Sequence, residues 1–217
     1  MQNVRRRTPT ADESTPSPGR TRGRPRAFDR DAALDAAMRL FWRKGFAATS
    51  ISDLTDAMGI GSPSLYAAFR SKEELYAEAL RRFADEAASM IWSAFDRAGS
   101  ARAAMESLLL AAAAEFPATP GKPAGCMVTL SAAGAEGCAA LGDLVSGGRR
   151  EGLHRFEARL ARAVQDGELR PGTDVPAMSR FYQAVQHGMA LQARDGASRA
   201  ELESVARAAM AAWPQPG

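Results

Sequence analysis

The chain has few residues of the kinds that build metal sites and disulfide frameworks. Its 217 residues include two cysteines, Cys126 and Cys138, and two histidines, His154 and His187. These four residues are too few and too irregularly spaced for a structural zinc module, and two cysteines do not make a disulfide framework. We therefore expect no metal and no other cofactor.

Long apolar runs are also missing. No stretch of 18 or more apolar residues occurs, and Arg5-Arg6-Arg7 is followed by Thr, Pro, Asp and Glu rather than by an apolar signal-peptide core. With 46% apolar and 24% charged residues, the composition is that of an ordinary soluble globular protein. We expect a cytoplasmic protein without a membrane partner.

Positive charge is concentrated near the beginning of the sequence. Residues 1–82 carry 15 Lys and Arg against 10 Asp and Glu, whereas the remainder carries 13 against 15. Residues 1–26 hold seven arginines and four prolines with almost no large apolar residue, a composition that predicts a disordered basic arm. Its Arg22-Gly23-Arg24 segment is slim enough to place Arg22 and Arg24 in a DNA minor groove, the alternative being a solvated charged tail.

Two helices are predicted directly after this arm. From Asp29 onward, apolar residues recur at helical spacing, and Gly45 marks the end of the first helix. Thr49 is the predicted N-cap of a second, shorter helix, which Gly59 ends.

The stretch from Gly59 to Phe69, "GIGSPSLYAAF", predicts a tight turn followed by a third helix. Ser62 is the expected N-cap and Pro63 the first helical residue. Leu65 and Phe69, four positions apart, give this helix one buried side and leave a small, polar side open. A helix, a short turn and a short helix with an open polar face indicate a helix-turn-helix.

A fourth helix is expected from Ser71 to about Asp96. Ser71 and Glu74 have the spacing of a capping box, in which each side chain accepts from the other residue's backbone N–H. Lys72 stands in the first turn, where the helix dipole favours an anion, and is a candidate for a phosphate contact.

Residues 28–80, taken together, resemble the DNA-binding domain of the TetR family of transcriptional regulators. The resemblance rests on the order of an amphipathic helix, Lys-Gly-Phe, a Thr-Ser cap, Leu-Tyr-x-x-Phe and Ser-Lys-Glu-Glu-Leu. It implies a third helix in the major groove, with DNA contacts from Ser62, Ser64, Tyr66 and Ala67 and backbone contacts from Thr49 and Lys72. The implied domains are 27–75 for DNA binding and 76–217 for effector binding and dimerisation.

Alanine-rich segments at about 101–116, 124–136, 139–166, 174–195 and 198–213 predict further helices separated by Pro/Gly breaks. The expected fold is all-α, with a three-helix DNA-binding domain on a larger helical bundle. Gly147, Gly148 and Gly152 inside the longest helix indicate either a kink or a close helix contact. The family resemblance implies a homodimer through the last two helices, the alternative being that these helices pack only within one chain.

The resemblance also implies a small-molecule effector bound within the C-terminal domain. No acidic cluster is present to receive a cation, so we expect an apolar or aromatic ligand. The candidate lining residues are Trp92, Phe95, Met105, Phe116, Cys126, Met127, Phe156, Tyr182 and His187.

The function predicted from these features is that of a ligand-responsive regulator, a repressor that binds a palindromic DNA operator as a homodimer and is released by its effector. A repressor that senses thiol oxidation through Cys126 is an alternative, because this cysteine follows Gly125 near a predicted helix start. An enzyme that uses Cys126 with His154 or His187 is disfavoured, since no nucleophile elbow or phosphate loop is present. A non-specific DNA-coating protein is disfavoured by the nearly neutral remainder of the chain.

Overall fold

The fold is all-α, as expected, in a computed structural model that describes residues 28–134 and 137–214, with Ala88 and Ser89 described only in their backbone. Within those ranges the β-type pairing is one isolated bridge, Thr119 with Lys122. None of the helices there is long and apolar enough to cross a bilayer. The helices are α1 (Arg30–Lys44), α2 (Ile51–Met58), α3 (Ser62–Phe69), α4 (Lys72–Ala87), α5 (Ser93–Arg97), α6 (Ala101–Glu115), α7 (Met127–Leu130), α8 (Ala139–Gln165), α9 (Val175–Arg194) and α10 (Arg199–Ala211), with a π-helical segment, Ala88–Trp92, between α4 and α5.

The ends of the first three helices follow from local chemistry. Asp29 caps α1 by accepting from two backbone N–H groups, and Gly45 and Gly59 end α1 and α2 with φ of 82° and 66°. The predicted caps of α2 and α3 are each wrong by one residue. Ser50 caps α2 in a capping box with Asp53, and Gly61 precedes α3, so that Ser62 is its first residue.

The capping box predicted for Ser71 forms only in part. The Ser71 hydroxyl accepts from the Glu74 N–H at 3.1 Å. The Ser71 N–H, however, donates to the Phe69 carbonyl at 2.7 Å, and the Glu74 carboxylate lies 3.5 Å from the Arg70 guanidinium. The side chain of Glu74 is therefore drawn towards a cation instead of closing the box.

Two predicted helices differ from those observed. The helix expected from Ser71 to about Asp96 is interrupted by the π-helical segment. The helix expected over 124–136 shrinks to the four residues of α7, because the chain before it forms a loop in which the Gly125 N–H donates to the Phe116 carbonyl at 2.7 Å. Gly125 has φ of +80°, and a Cβ there would lie 2.7 Å from the Ala190 carbonyl oxygen, so only glycine fits this loop.

The apolar side chains form two cores. The first joins α1, α2, α3 and α4, and it extends to Met127, Leu141 and Val145. The second lies among α5, α6, α8, α9 and α10. Because α4 contributes to the first core up to Phe83, the boundary at residue 76 would fall inside a continuous helix, and that division stays a prediction.

The glycines of α8 mark close contacts and not a break, since the helix runs without interruption from Ala139 to Gln165. A Cβ at Gly152 would lie 3.5 Å from the Trp92 ring, and one at Gly148 would lie 3.2 Å from a Val128 methyl group. At Gly147 an added Cβ would meet only the end of the Arg150 side chain, at 4.0 Å. Gly148 therefore allows α8 to approach Val128 closely, whereas a Cβ at Gly152 would make an ordinary van der Waals contact with Trp92.

The last two helices pack largely within their own chain. Helix α10 buries Leu202, Ala206 and Ala209, and the Tyr182 hydroxyl of α9 donates to the Ala209 carbonyl. Burial raises the pKa of Tyr182 to about 12. Phe181 and Leu191 of α9, in contrast, are 43% and 54% exposed.

Candidate DNA-binding surface and effector cavity

Helix α3 has one buried and one open side, as its sequence predicts. Leu65 and Phe69 are buried, at 0% and 3% exposure. The opposite side presents the predicted DNA-contacting residues Ser62, Ser64, Tyr66 and Ala67, all of them exposed. The side is small and polar apart from the phenol of Tyr66, so a duplex groove can approach the helix closely.

Arg30 holds α3 against the rest of the domain. Its guanidinium forms a two-point ion pair with Glu78 of α4, at 2.7 and 2.8 Å, and donates to the Ala68 carbonyl of α3 at 3.3 Å. It also lies 4.4 Å from the centre of the Phe69 ring. The ion pair raises the pKa of Arg30 and lowers that of Glu78. Three helices thus meet at one planar cation.

Arg70 connects α3 to α4 through a γ-turn. The Ser71 N–H donates to the Phe69 carbonyl across Arg70, whose φ and ψ are 64° and −53°. No other non-glycine residue in the described ranges has a positive φ. This conformation is strained for an L-residue, and it makes the junction between α3 and α4 very short.

The two residues predicted to contact the DNA backbone differ in their surroundings. Thr49 is fully buried, and its hydroxyl donates to the Gly45 carbonyl at 2.6 Å, so its side chain closes the end of α1 and is not at the surface. The neighbouring Ser50 is exposed. Lys72 lies in the first turn of α4, as predicted, with its ammonium 4.4 Å from the centre of the Phe46 ring. Arg22 and Arg24, in the predicted disordered arm, lie outside the described residues.

The start of α2 carries an ionised carboxylate. Asp53 accepts from the ammonium of Lys44 at 2.9 Å and from the backbone and hydroxyl of Ser50, each at 2.9 Å. Lys44 and, after it, the Ser50 hydrogen bonds lower the pKa of Asp53 to about 2. The turn between α1 and α2 is therefore fixed by charge as well as by packing.

A central cavity of about 340 Å³ opens among α4, the π-helical segment, α8 and α9. Three of the predicted effector-pocket residues line it, Trp92, Cys126 and His187. Its surface is mostly apolar, and Gly148 and Gly152 form part of one wall. A volume of this size accommodates a small organic ligand.

Three polar side chains of the central cavity, those of Arg149, Arg155 and Gln183, are engaged by the protein itself. Arg149 donates to three backbone carbonyls, those of Val128, Thr129 and Ser131. Arg155 pairs with Asp96 at 2.7 Å and lies 4.1 Å from the centre of the Trp92 ring. Burial, and secondarily the charge of Arg149, lowers the pKa of His187, which keeps this imidazole neutral at neutral pH.

The other predicted pocket residues do not line this cavity. Phe95, Met105, Phe156 and Tyr182 belong to the second core, and Met127 belongs to the first. Phe116 lines a different cavity, of about 380 Å³, between α1 and the π-helical segment, which is called the interdomain cavity below. Arg149 and Gln183 of the central cavity were not predicted, because a single polar residue on a helix carries no sign of where it points.

The exposed face of α3, held by a buried side and a fixed turn, defines a helix-turn-helix DNA-binding protein. Residues 33–79 match the family model described as bacterial regulatory proteins, tetR family. The chain is 35% identical to the HTH-type transcriptional repressor ComR of Escherichia coli K12 over 94% of this chain and 98% of ComR. The chain belongs to the TetR family, and it is a transcriptional regulator, not an enzyme.

Other relatives and solved structures agree with this assignment. The HTH-type transcriptional repressor KstR2 of Mycolicibacterium smegmatis is 31% identical over 71% of this chain and 74% of its own length. A cysteine mutant of the TetR-family regulator CifR, solved with 26-base-pair operator DNA, is 40% identical and has a TM-score of 0.82 over 88% of this chain and all of CifR. AibR, solved with isovaleryl coenzyme A and operator DNA, shares the fold at 16% identity and a TM-score of 0.64, over 83% of this chain and 95% of AibR.

The thiol-sensing alternative gains no support. Cys126 and Cys138 are both free thiols. The Cys126 sulfur accepts from the Thr129 N–H at 3.5 Å and so caps α7. This contact gives the residue a structural role at the wall of the central cavity.

Proposed function

We propose that the chain is a repressor that binds a palindromic operator as a homodimer and is released by a small effector held in the central cavity. The observation that carries the proposal is the open face of α3, Ser62, Ser64, Tyr66 and Ala67, on a helix whose other side is fully buried. A buried side fixes the orientation of the helix, and an exposed side leaves it free to enter a major groove.

Within this proposal, the Tyr66 hydroxyl donates a hydrogen bond to a phosphate and Ala67 contacts a thymine methyl group. Lys72, at the start of α4, pairs with a second phosphate. Thr49 is buried and therefore makes no contact with DNA in this proposal, and the exposed Ser50 beside it donates its hydroxyl and backbone hydrogen bonds to Asp53. Arg22 and Arg24 extend the contact into the minor groove. Specificity then rests on DNA shape as well as on hydrogen bonds, since α3 offers few long polar side chains.

The test is fluorescence anisotropy on labelled duplexes tiled across the DNA upstream of the protein's own gene, at physiological salt with excess non-specific competitor. We expect saturable binding to one palindrome-bearing duplex, weakened at least tenfold by Tyr66→Ala. Ser204→Ala on α10, also an exposed hydroxyl loss, is the control and leaves binding unchanged. Equal affinity for every duplex would refute the operator proposal.

The homodimer is proposed through α9. Ala177, Phe181, Ala184, Gly188 and Leu191 follow one another at alternating spacings of four and three, which places them on one side of the helix. Phe181 and Leu191 are the large exposed apolar members of this stripe, and burying them against a second copy removes them from water. A two-fold dimer matches the symmetry of a palindromic site.

Light scattering after size exclusion tests the dimer. Leu191→Glu is expected to give a monomer, whereas Leu110→Glu, the same change at a leucine exposed to 38% on α6, leaves the dimer intact. A dimer that survives both Leu191→Glu and Phe181→Glu would place the interface elsewhere.

The effector, in this proposal, is a small apolar or aromatic molecule that lies against Trp92 in the central cavity. Gly152→Leu places a larger side chain against the Trp92 ring, which lies 3.5 Å from the position of the new Cβ. A Cβ at Gly147, in the same helix, would meet only the end of Arg150, at 4.0 Å. We expect Gly152→Leu to bind the operator but to remain bound at effector concentrations that release the wild type and Gly147→Leu. Release of the Gly152→Leu protein at the same concentration would refute this location.

A further inference from the structure

The interdomain cavity adjoins the central one, with which it shares Phe83 and Ala87 as lining residues, and it touches the DNA-binding domain directly. One wall is α1, through Met38, Arg39 and Trp42, and the opposite wall is formed by the π-helical segment and the loop after α6. Its volume, about 380 Å³, falls within the range of ligand sites. A π-helical turn within a long helix frequently accompanies a functional site.

The interior of this cavity is apolar, with one unused donor. Trp42 and Phe83 meet edge to face at 4.8 Å between ring centres, and Phe116 completes the aromatic wall. The Trp42 indole nitrogen is buried and has no hydrogen-bond acceptor among the described residues. A buried N–H without an acceptor costs stability, and a ligand oxygen that reached it after a small shift of the indole would remove that cost.

The charges at the rim are paired except for one. Glu86 lies 3.4 Å from Arg82, and Glu115 lies 2.9 Å from Lys122. Arg39 is exposed and has no ion pair within the part of the chain that the structure describes. Among the described residues of the rim, Arg39 is therefore the one cation without an ion pair, and it is complementary to one negative charge.

Arg39 and Trp42 are three residues apart on α1 and so are neighbours on the helix surface. A carboxylate beside α1 would pair with the Arg39 guanidinium and, after a small shift of the indole, accept from the Trp42 N–H. An apolar body attached to it would occupy the space among Trp42, Phe83 and Phe116.

We propose that the interdomain cavity is a second ligand site, which binds a small apolar monocarboxylate. Such a ligand would touch α1 on one side and the π-helical segment on the other. Its binding therefore favours the relative position of the two domains in which both walls contact it. This site goes beyond the effector site proposed above, and its test does not depend on operator binding.

The experiment is isothermal titration of the full-length protein with 1-naphthoate and with decanoate, each compared with its alcohol, 1-naphthalenemethanol or decanol. We expect at least one carboxylate to bind about tenfold or more tightly than its alcohol, because a charged hydrogen bond to Arg39 is available only to the acid. Arg39→Gln is expected to abolish this preference. Arg43→Gln, at an exposed arginine of the same helix that does not line the cavity, is the matched control and retains it.

Two further variants locate the site. Trp42→Phe keeps a ring but removes the N–H, and it is expected to weaken carboxylate binding several-fold. Gly152→Leu fills the central cavity and is expected to leave carboxylate binding unchanged. Absence of binding by both acids at millimolar concentration, an acid preference that survives Arg39→Gln, or loss of binding in Gly152→Leu would each overturn the proposal. Trp42 is buried, so Trp42→Phe can lower stability and weaken binding for that reason alone. Arg39 is exposed, and the effect of Arg39→Gln on the preference for the acid therefore decides whether the proposal holds.

Discussion

Replacing Arg30 with alanine removes several contacts at once, because this one guanidinium joins α1, α3 and α4. The side chain loses its two-point ion pair with Glu78, its position over the Phe69 ring and its hydrogen bond to the Ala68 carbonyl. We predict that Arg30→Ala destabilises the DNA-binding domain and, with it, the orientation of α3.

The magnitude follows from the exposure of the partners. The Arg30 and Glu78 side chains are 45% and 32% exposed, so solvent screens their ion pair to about 0.5–1 kcal/mol. The partly exposed cation over the buried Phe69 ring adds roughly 0.5–1 kcal/mol. Contributions that share one side chain are not additive, and we therefore expect a loss of about 1–2 kcal/mol in the free energy of unfolding.

The assay is urea unfolding at fixed protein concentration for Arg30→Ala, Glu78→Gln and the double variant. The cycle is expected to assign about 0.5–1 kcal/mol to the ion pair, with the rest of the Arg30→Ala effect persisting in the Glu78→Gln background. Arg30→Lys keeps the charge but loses the planar fork, so it should recover only part of the loss. A coupling energy of zero, or full recovery by lysine, would refute this account of the residue.

Three further predictions concern the turns. The pKa of Asp53 is lowered to about 2 from its usual 3.8, so the stability that its carboxylate contributes is present above pH 4 and is lost as the pH falls towards 2. Asp53→Asn should remove this loss of stability between pH 4 and pH 2 from an acid titration followed by circular dichroism. Gly125→Ala should lower the melting temperature clearly more than Gly121→Ala. Both glycines have a φ near +80°, but only at Gly125 would the new Cβ lie 2.7 Å from a backbone oxygen. Equal decreases would show that the loop around Gly125 can move to make room. Arg70→Gly should raise the free energy of unfolding by about 1 kcal/mol, because relief of the strained φ outweighs the greater chain entropy that glycine gives the unfolded state. A lower free energy of unfolding in this variant would mean that the γ-turn carries no strain.

The sequence predicts the helices well where a pattern is local. The start of α1 at Asp29 and the stops at Gly45 and Gly59 depend on chemistry within one turn. Two neighbouring residues that could both cap a helix are harder to distinguish in the sequence. Thr49 and Ser50 both have hydroxyls, and only the fold shows that the Thr49 hydroxyl donates to the Gly45 carbonyl. The π-helical segment leaves no mark in the apolar spacing that surrounds it.

The effector cavity is less predictable than α3. Large apolar residues such as Phe156 and Tyr182 serve a core and a cavity equally well, and their sequence positions do not distinguish the two. Trp92 faces a cavity whose opposite wall includes Gly152 of a distant helix. A cavity of this kind depends on how two helices pack together, and the sequence of one helix does not show that packing.

Arg194 gives the proposed dimer helix a direct connection to the DNA-binding domain. Its guanidinium donates to the Arg43 carbonyl at 2.7 Å, so the last turn of α9 rests on the last turn of α1. A helix of 20 residues is about 30 Å long, and a tilt of about 5° about one end moves the other end by roughly 2.6 Å. A small tilt of α9 at a subunit contact would therefore displace the DNA-binding domain by a distance comparable to the length of a hydrogen bond. This route from the dimer contact to α1 involves neither cavity.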